Sequence, residues 1–347
     1  MKVAIDISPA KTDHKVRGIG SYTRSLIGEF QQGNWPVEFE FFETPNSPPP
    51  ADVVHYPYFD LFFHSLPIKK STGRVVTIHD VIPLVFPDYF PVGIKGYINL
   101  FFQKKALKNV DAIICDSQTS KKDIVSKLSF PQDKIHVIYL AAGSNFNPIT
   151  DENTLFSVSK KYNLPKKFVL YVGDVNWNKN ILNLLEAVKI AKVKLVMVGK
   201  ALTDDSLTQV KEIDRIIKKL GLQKQVIKTG YVSENDLISI YNLASLTILP
   251  SFYEGFGLPV LESMACSTPV VCSNVASLSE ITNNSAIFCD PADPNNIARN
   301  ITRVLNLSKK QRQNLSQKLV KHASKFSWQK VAKETVNVYR ETLMGTR

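Results

Sequence analysis

The sequence predicts an α/β protein of two doubly wound domains, each a parallel sheet covered by helices on both faces. Its 347 residues exceed one ordinary domain, since about 150 residues per domain are typical. Short apolar runs alternate with longer helical stretches, as in parallel sheets that are buried on both sides. The polar segment 141–153, with Gly143 and Pro148, interrupts this alternation and predicts the domain boundary.

The first half is predicted to contain a six-stranded sheet. Its strands are runs rich in Val, Ile and Phe, which favour sheets; they lie at 2–7, 37–43, 53–56, 74–78, 111–115 and 134–140. The intervening helical patterns lie at 18–31, 94–108 and 117–128.

The second half repeats this alternation. Predicted strands lie at 168–172, 194–198, 225–229, 246–249, 269–272 and 286–289, with helices such as 180–192 and 234–244 between them. The helical stretch 326–343 either closes this domain or packs on the first. Ligands of open parallel sheets bind at the carboxyl ends of the strands, so two facing domains predict a cleft between them.

Composition indicates a cytoplasmic, soluble protein. The chain is 44% hydrophobic and 21% charged, which is ordinary for a globular protein. No segment approaches the roughly 18 apolar residues of a membrane span, and no signal-peptide pattern appears. The four cysteines form no C-x-x-C pair and lie in or beside apolar runs, which predicts reduced core thiols; they are Cys115, Cys266, Cys272 and Cys289.

Positive charge is concentrated near the end of the chain. Residues 299–347 carry twelve Lys or Arg and two acidic residues, a net +10 of the total +12. No groove-reading motif or interleaved aromatic residues accompany this charge, which disfavours nucleic acid as the partner. Either a solvated face of the terminal helices or a surface that meets anionic lipid explains it.

The stretch SFYEGFGLPVLESM, residues 251–264, follows a predicted strand at its carboxyl end. Gly255 and Gly257 allow a close approach of the backbone to a ligand or a positive φ. Pro259 suits the first turn of a helix that starts near Leu258. The positive end of that helix would then point at the ligand site, where it favours a phosphate.

The two glutamates of this stretch fit a nucleotide-sugar site. Glu262, one turn into the helix, can accept hydrogen bonds from vicinal hydroxyls such as those of a ribose. Glu254, outside the helix, can reach another part of the same ligand. The structural alternative is that Glu254 caps the helix and Glu262 is a paired, partly buried carboxylate. The two together, with GFG-x-P between them, favour the ligand site.

The sequence resembles the retaining glycosyltransferases of family 4, which have the GT-B fold. EGFGLPVLE followed by ACSTPVV is similar to their E-x7-E signature. The resemblance covers nearly the whole chain and is strongest to a mannosyltransferase-B-like branch, through RGIGSYTRSL, TIHDVIPLVFPDYF, DSQTSKKDI, YVGDVNWNKN and FSWQKVAKETVNVYRETL. It implies an acceptor-binding domain at 1–148, a donor-binding domain at 149–325 and a terminal helix at 326–347 that packs back on the first.

The resemblance also implies roles for the donor-site residues. Glu262 would hold the donor ribose and Glu254 the transferred sugar. The backbone of Gly255, Phe256, Gly257 and Leu258 would bind sugar hydroxyls and diphosphate oxygens. Lys179 would bind the phosphates, where a fixed ammonium stabilises the charge that develops on the leaving diphosphate.

The chain departs from the family pattern at two positions near Lys179. Asp174 follows Gly173 where many relatives carry a basic residue, which leaves open how the second phosphate charge is balanced. Asn178 stands where an arginine often precedes the lysine.

Further assignments have open alternatives. Gly20 in RGIGSY is expected to face the donor phosphates from a tight loop; the alternative is a plain strand–helix turn, and Thr23 replaces the third glycine of a dinucleotide fingerprint. His79 is expected to contact the sugar rather than only pack. Asp80 either orients its loop or touches the acceptor.

Two more features of the sequence have alternative interpretations. Tyr231 and Val232 either pack on the nucleotide base or belong to the core. The helix 94–108 carries Tyr97, Phe101 and Phe102 beside Lys104, Lys105 and Lys108. That composition suits a membrane interface, but the interpretation favoured from the sequence is core packing with a solvated basic end. The histidines show no metal spacing, so no metal site is expected.

Together these features predict a retaining hexosyltransferase that needs neither cofactor nor metal. The expected donor is GDP-mannose, and the expected acceptor is a saccharide or lipid-linked glycan of surface polysaccharide biosynthesis. The expected location is the cytoplasm, with peripheral association at the inner face of an anionic membrane.

Other functions fit the sequence less well. A nucleotide-sugar epimerase on the same fold would convert donor without any acceptor. A phosphorylase lacks its pyridoxal lysine motif here, and an NAD oxidoreductase lacks its third glycine. A non-catalytic membrane-binding or nucleic-acid-binding protein would not need the two glutamates.

Overall fold

The computed structural model describes residues 1–12, 18–70 and 72–345, which form two compact units. The first unit consists of Met1–Leu140 and Ser327–Arg347, and the second of Ala141–Phe326. The boundary expected at 148/149 lies a few residues further along than the one observed. The reason is that Phe146 already packs in the second core, with its ring centroid 6.0 Å from that of Tyr241.

The first unit is built on a six-stranded parallel sheet in the order β2-β1-β3-β4-β5-β6. The strands are β1 (Lys2–Asp6), β2 (Glu38–Phe42), β3 (Val53–Tyr56), β4 (Gly73–Thr77), β5 (Ala112–Cys115) and β6 (Ile135–Val137). Strands β3, β4 and β5 are buried along their whole length, which explains why most of their residues are apolar; the polar residues His55, Arg74 and Thr77 are buried as well.

The helices of this unit are α1 (Ser8–Lys11), α2 (Gly18–Gln32), α3 (Ile82–Val85), α4 (Ile94–Leu107), α5 (Gln118–Leu128) and the terminal α14 (Trp328–Gly345). Helix α14 packs on α2 and on β3, β4 and β5. Its Tyr339 hydroxyl lies 2.7 Å from Nδ1 of His55, and its Trp328 ring lies 5.9 Å from that of Tyr22.

The second unit repeats the architecture with the strand order β12-β11-β10-β7-β8-β9, again parallel. The strands are β7 (Val169–Val172), β8 (Leu195–Val198), β9 (Val226–Gly230), β10 (Leu246–Leu249), β11 (Val270–Ser273) and β12 (Ile287–Cys289). The twelve strands predicted from sequence are therefore confirmed, and the largest difference is that β6 ends at Val137 rather than at residue 140.

The helices of the second unit are α6 (Glu152–Lys161), α7 (Ile181–Ala191), α8 (Thr208–Leu220), α9 (Glu234–Leu243), α10 (Leu258–Ala265), α11 (Ala276–Thr282), α12 (Pro294–Leu305) and α13 (Lys309–Ala323). Several begin at capping side chains. Asp151 accepts hydrogen bonds from two amides of the first turn of α6, and Ser308 with Gln311 forms a capping box on α13, which satisfies amides that lack a helical partner.

Two further predictions concern the cysteines and membrane-spanning helices. All four cysteines are buried and unpaired by disulfides, as the sequence predicts. Within 1–12, 18–70 and 72–345, none of the helices has the length and apolar character that crossing a bilayer requires.

Candidate active site

The strand order of the second sheet defines where its chemistry is concentrated. β7 and β10 are neighbours, and the chain leaves them toward opposite ends of the sheet, so the carboxyl ends of these two strands form a topological switch point. Ligands of doubly wound sheets bind at such a point. A turn at Trp177–Lys179 follows β7, and the loop that contains Glu254 follows β10.

The side chains of Lys179 and Glu254 meet at this switch point. Lys179 Nζ donates to Oε1 and Oε2 of Glu254 at 2.8 and 2.9 Å. Ser251 Oγ also donates to Oε1 of Glu254 at 2.7 Å. The side chains of Lys179 and Glu254 are 18% and 7% exposed, so the pair is largely shielded from water. Glu254 therefore pairs with Lys179 and does not cap α10.

Asn178 holds the loop 250–257 against the turn that follows β7. Its Nδ2 donates to the carbonyl of Tyr253 at 2.9 Å, and its carbonyl accepts from the amide of Phe252 at 2.8 Å. Trp177 stacks on Phe252 with ring centroids 5.1 Å apart. Asn178 thus has a structural role beside Lys179.

The start of α10 at Leu258 agrees with the sequence prediction and depends on Gly257. Gly257 is the N-cap of α10 and has φ +100°, a conformation that side chains disfavour. A Cβ atom there would also lie 2.5 Å from Cδ2 of Leu278. The positive end of the α10 dipole lies at Gly257, so α10 favours an anion bound beside the loop of Glu254.

Ser277 of α11 supports the backbone of the same loop. Its hydroxyl oxygen lies 2.8 Å from the carbonyl oxygen of Glu254 and 2.9 Å from that of Phe256. The hydroxyl can donate to either carbonyl, which fixes the path of the chain on both sides of Gly255. Phe256 itself is buried.

Glu262 lies in α10 and is 9% exposed. Its Oε2 accepts a hydrogen bond from the Tyr241 hydroxyl at 2.8 Å. Burial raises the pKa of Glu262 to about 7; the hydrogen bond from Tyr241 opposes this rise, and Glu234 adds to it. The carboxyl group is thus poised to gain or lose a proton near neutral pH.

The two residues considered for the nucleotide base differ in environment. Tyr231 is 58% exposed. Val232 is buried and packs in the core with Ile238 and Val198. Of the two residues, only Tyr231 is exposed and could contact a base.

The first sheet has its own switch point between β1 and β3. A cavity of about 430 Å³ lies there. It is lined by side chains at or beyond the carboxyl ends of β1, β2 and β3, among them Asp6, Pro45, Tyr58, Asp60, Phe63 and His64. Burial raises the pKa of Asp6, against the opposing effect of the Ser8 amide and hydroxyl that donate to its carboxylate.

His79 and Asp116 lie at the carboxyl ends of the adjacent strands β4 and β5. Nδ1 of His79 lies 2.7 Å from Oδ2 of Asp116, and the Tyr22 ring packs edge-on at 4.8 Å. Burial lowers the pKa of His79, but Asp116 and, more weakly, Asp80 and the Pro57 carbonyl outweigh it, so the pKa lies above its usual value. Asp116 therefore orients the ring and favours its protonated form.

The remaining predicted residues of the first unit have structural contacts. Asp80 Oδ1 accepts from the amide of Ile82 at 3.0 Å, which fits a loop-orienting role. Gly20 is buried in the first turn of α2, not in a loop as expected, because α2 already begins at Gly18. Arg17 of the RGIGSY motif and His14 lie outside the described residues.

Tyr241, Ser251, Ser277 and Asp116 were not predicted as site residues. Tyr241, Ser277 and Asp116 reach their partners from other elements of the fold, whereas Ser251 lies in the same loop as Glu254. Asp116 offered one signal, since it stands directly after a buried strand, at the carboxyl edge where His79 was expected.

The fold and the family models together define a glycosyltransferase of the GT-B class. Over 100% of both chains, the structure matches sucrose-phosphate synthase from Thermosynechococcus elongatus with a TM-score of 0.75 and 19% identity. The model of the glycosyl transferases group 1 matches residues 154–322, and that of Glycosyltransferase Family 4 matches residues 17–141. The chain belongs to the family 4 glycosyltransferases.

Two relatives show which branch of the family the chain is similar to. It is 32% identical over 295 residues to O-antigen chain mannosyltransferase B of Escherichia coli, covering 82% of this chain and 75% of that protein. It is 28% identical over 298 residues to the serotype-specific mannosyltransferase WbdA of Escherichia coli, covering 83% of this chain but 36% of that longer protein.

Proposed function

We propose that this glycosyltransferase moves mannose from GDP-mannose to a saccharide or lipid-linked glycan acceptor in surface polysaccharide biosynthesis. The similarity to two mannosyltransferases, one of them named for the O-antigen chain, supports the sugar and the pathway class. The observation that carries the proposal is the Lys179–Glu254 pair beside the start of α10.

In this proposal Lys179 exchanges partners when the donor binds. Its ammonium group contacts Glu254 in the described structure, and the diphosphate of the donor competes for it. As the glycosidic bond breaks, charge develops on the leaving diphosphate, and a preorganised cation stabilises that charge. Ser251 continues to donate to Glu254 and keeps the carboxylate in place.

The positive end of α10 supplies the second compensation for the diphosphate charge. Asp174, where relatives often carry a basic residue, turns its Oδ1 to the amide of Val175 at 2.8 Å. The missing cation is then replaced by the α10 terminus at Gly257. With Lys179 and this dipole in place, the reaction is expected to need neither metal nor cofactor.

The anomeric configuration is retained through front-face attack. The bond from the sugar C1 to the diphosphate oxygen breaks while the acceptor hydroxyl oxygen bonds to C1 from the same side. The acceptor proton passes to the departing diphosphate oxygen. Glu254 acts by position and charge and not as a covalent nucleophile, in keeping with its hydrogen bonds to Lys179 and Ser251.

In this proposal Glu262 binds the donor ribose and Tyr231 contacts the base. The assignments of Gly20, His79 and Asp80 to the donor phosphates, the sugar and the acceptor stay predictions. The enzyme would work in the cytoplasm, where nucleotide sugars are its substrates.

A transfer assay tests the proposal. GDP-mannose, UDP-glucose and UDP-N-acetylglucosamine are each incubated with a mannose-terminated oligosaccharide, and the product is examined by NMR. We expect transfer from GDP-mannose alone, with the α configuration of the donor kept. Transfer only from a UDP-sugar would contradict the donor assignment, and conversion of the donor without acceptor would indicate an epimerase.

A further inference from the structure

The buried side of helix α4 in the first unit consists of Asn99, Gln103, Ala106 and Leu107. The amide groups of Asn99 and Gln103 are turned inward, where they donate to the carbonyls of Phe62 and Asp60, each at 2.7 Å. The outward side carries large apolar residues with high exposed fractions: Ile94 at 82%, Tyr97 at 59%, Ile98 at 51% and Phe101 at 66%. The core packing favoured for Tyr97 and Phe101 from the sequence is therefore wrong.

These four exposed residues form one continuous surface, called here the apolar face. Their positions follow the i, i+3, i+4, i+7 spacing that places side chains on a single side of a helix. Phe102, 36% exposed, lies at its edge. A surface helix normally packs such an apolar stripe against the core. Single exposed apolar residues are common on protein surfaces, but a contiguous exposed apolar face is not. The apolar face therefore indicates a partner that is itself apolar.

Positive charge surrounds the apolar face. Lys95, Lys104, Lys105 and Lys108 are exposed, and residues 94–110 contain no acidic residue. Lysine stems lie along apolar surface while their ammonium groups reach outward. A helix with aromatic and aliphatic residues on one face and flanking lysines is suited to the boundary between acyl chains and anionic headgroups. We propose that the first unit docks on an anionic lipid bilayer through the apolar face of α4.

The charge around the apolar face favours a lipid bilayer over a second copy of the chain as its partner. In a twofold dimer, the same surface meets itself, so the lysines that flank one apolar face would lie near those of the other. Like charges at an interface oppose association. An anionic bilayer instead offers both an apolar layer and the complementary charge.

Docking through α4 would also position the cavity of the first unit. Asn99 and Gln103 tie α4 to the loop that carries Phe63 and His64, both of which line that cavity. The His64 ring lies 6.0 Å from that of Phe102. If the acceptor is lipid-linked, which rests on the proposed function, docking brings the cavity to the surface where its sugar is displayed.

Vesicle binding tests the docking without any enzyme assay, so a failure of the proposed sugar transfer does not affect the result. The full-length protein is sedimented with vesicles of phosphatidylcholine, with and without phosphatidylglycerol. We expect binding to the anionic vesicles, reduced at least ~10-fold in the double variant Ile98→Ser/Phe101→Ser because its apolar contact is lost. The matched control is Phe156→Ser, since Phe156 of α6 is 71% exposed; we expect its binding within about twofold of wild type.

Two further measurements distinguish insertion from charge alone. Phe101→Trp should show a blue-shifted emission on anionic vesicles and quenching by brominated acyl chains. Lys104→Gln/Lys105→Gln/Lys108→Gln should weaken binding and reduce its dependence on salt. Circular dichroism of each variant checks that it is folded.

Three results would overturn the proposal. The first is that the wild type does not bind anionic vesicles. The second is that binding survives Ile98→Ser/Phe101→Ser and is lost in Lys310→Gln/Lys318→Gln/Lys321→Gln, which would assign the lipid to the basic side of α13. The third is a dimer in sedimentation velocity that the α4 variant dissociates, without vesicle binding.

Discussion

Replacing Glu262 by glutamine is expected to make the enzyme more stable above neutral pH. The side chain is 9% exposed, and burial raises its pKa from 4.5 to about 7. Between these values the unfolded chain loses the proton while the folded protein keeps it. The free energy of unfolding therefore falls as the pH rises through this window, and each pKa unit corresponds to ~1.4 kcal/mol.

The shift of Glu262 corresponds to a loss of about 3 kcal/mol of stability between pH 4.5 and pH 8. Glutamine has no titrating proton, and its carbonyl can still accept the hydrogen bond from Tyr241. The difference in unfolding free energy, Glu262→Gln minus wild type, should therefore increase by about 3 kcal/mol over this range.

Urea unfolding at pH 4.5, 6, 7 and 8 measures this difference. Glu212→Gln is a suitable control, because the side chain of Glu212 is 51% exposed and its replacement should shift the curve by no more than about 0.5 kcal/mol. Parallel curves of unfolding free energy against pH for wild type and Glu262→Gln would contradict this prediction, since they would mean that the buried carboxyl does not titrate near neutral pH.

Three other predictions concern the loop of Glu254 and its surroundings. Glu254→Gln keeps a hydrogen-bond acceptor for Ser251 but removes the charge, so kcat should fall by roughly 100-fold or more. Donor affinity should not fall, since the diphosphate no longer competes with a carboxylate for Lys179; equal losses of kcat and donor affinity would argue against the assignment. Gly257→Ala should lower the unfolding free energy by at least ~2 kcal/mol, because it combines a positive φ with a contact to Leu278. The control Gly221→Ala, at φ +72° with open space around it, should lower it by only about 1 kcal/mol in urea unfolding, and similar losses at both sites would count against steric crowding at Gly257. Excess EDTA should leave the transfer rate within about twofold, since Lys179 and α10 supply the positive charge; a loss restored by Mg²⁺ would show that a metal takes part.

The fold was predictable because the strands are buried on both sides of each sheet. A strand such as 53–56 or 246–249 is apolar at every position or nearly so, and its bounds were predicted to the residue. The domain boundary was less well predicted, because the polar character of 141–148 reveals a linker but not which core receives Phe146.

The local part of the donor site was also predictable from sequence. Gly257, Leu258 and Pro259 determine the start of α10 through backbone conformation alone, which a short pattern records. The ion pair is different in kind: Lys179 and Glu254 are 75 residues apart and meet only because β7 and β10 are neighbours in the sheet.

Contacts that depend on side-chain direction were not predictable. The hydroxyl of Tyr241 reaches Glu262 from α9, but in the sequence Tyr241 looks like any apolar position of that helix. Helix α4 shows the same limit, since its pattern of aromatic and basic residues is equally consistent with a buried or an exposed aromatic side. The buried amides of Asn99 and Gln103 decide between them.

Calorimetry shows whether the second unit binds the nucleotide of the donor through Glu262, beside the Lys179–Glu254 pair. GDP, UDP and ADP are titrated into the wild type and into Glu262→Gln at pH 8, where the wild-type carboxyl is ionised. We expect GDP to bind most tightly and the variant to lose at least ~1.4 kcal/mol of binding free energy, about tenfold in Kd. Equal binding of GDP to both proteins, or no binding of any nucleotide, would contradict this expectation.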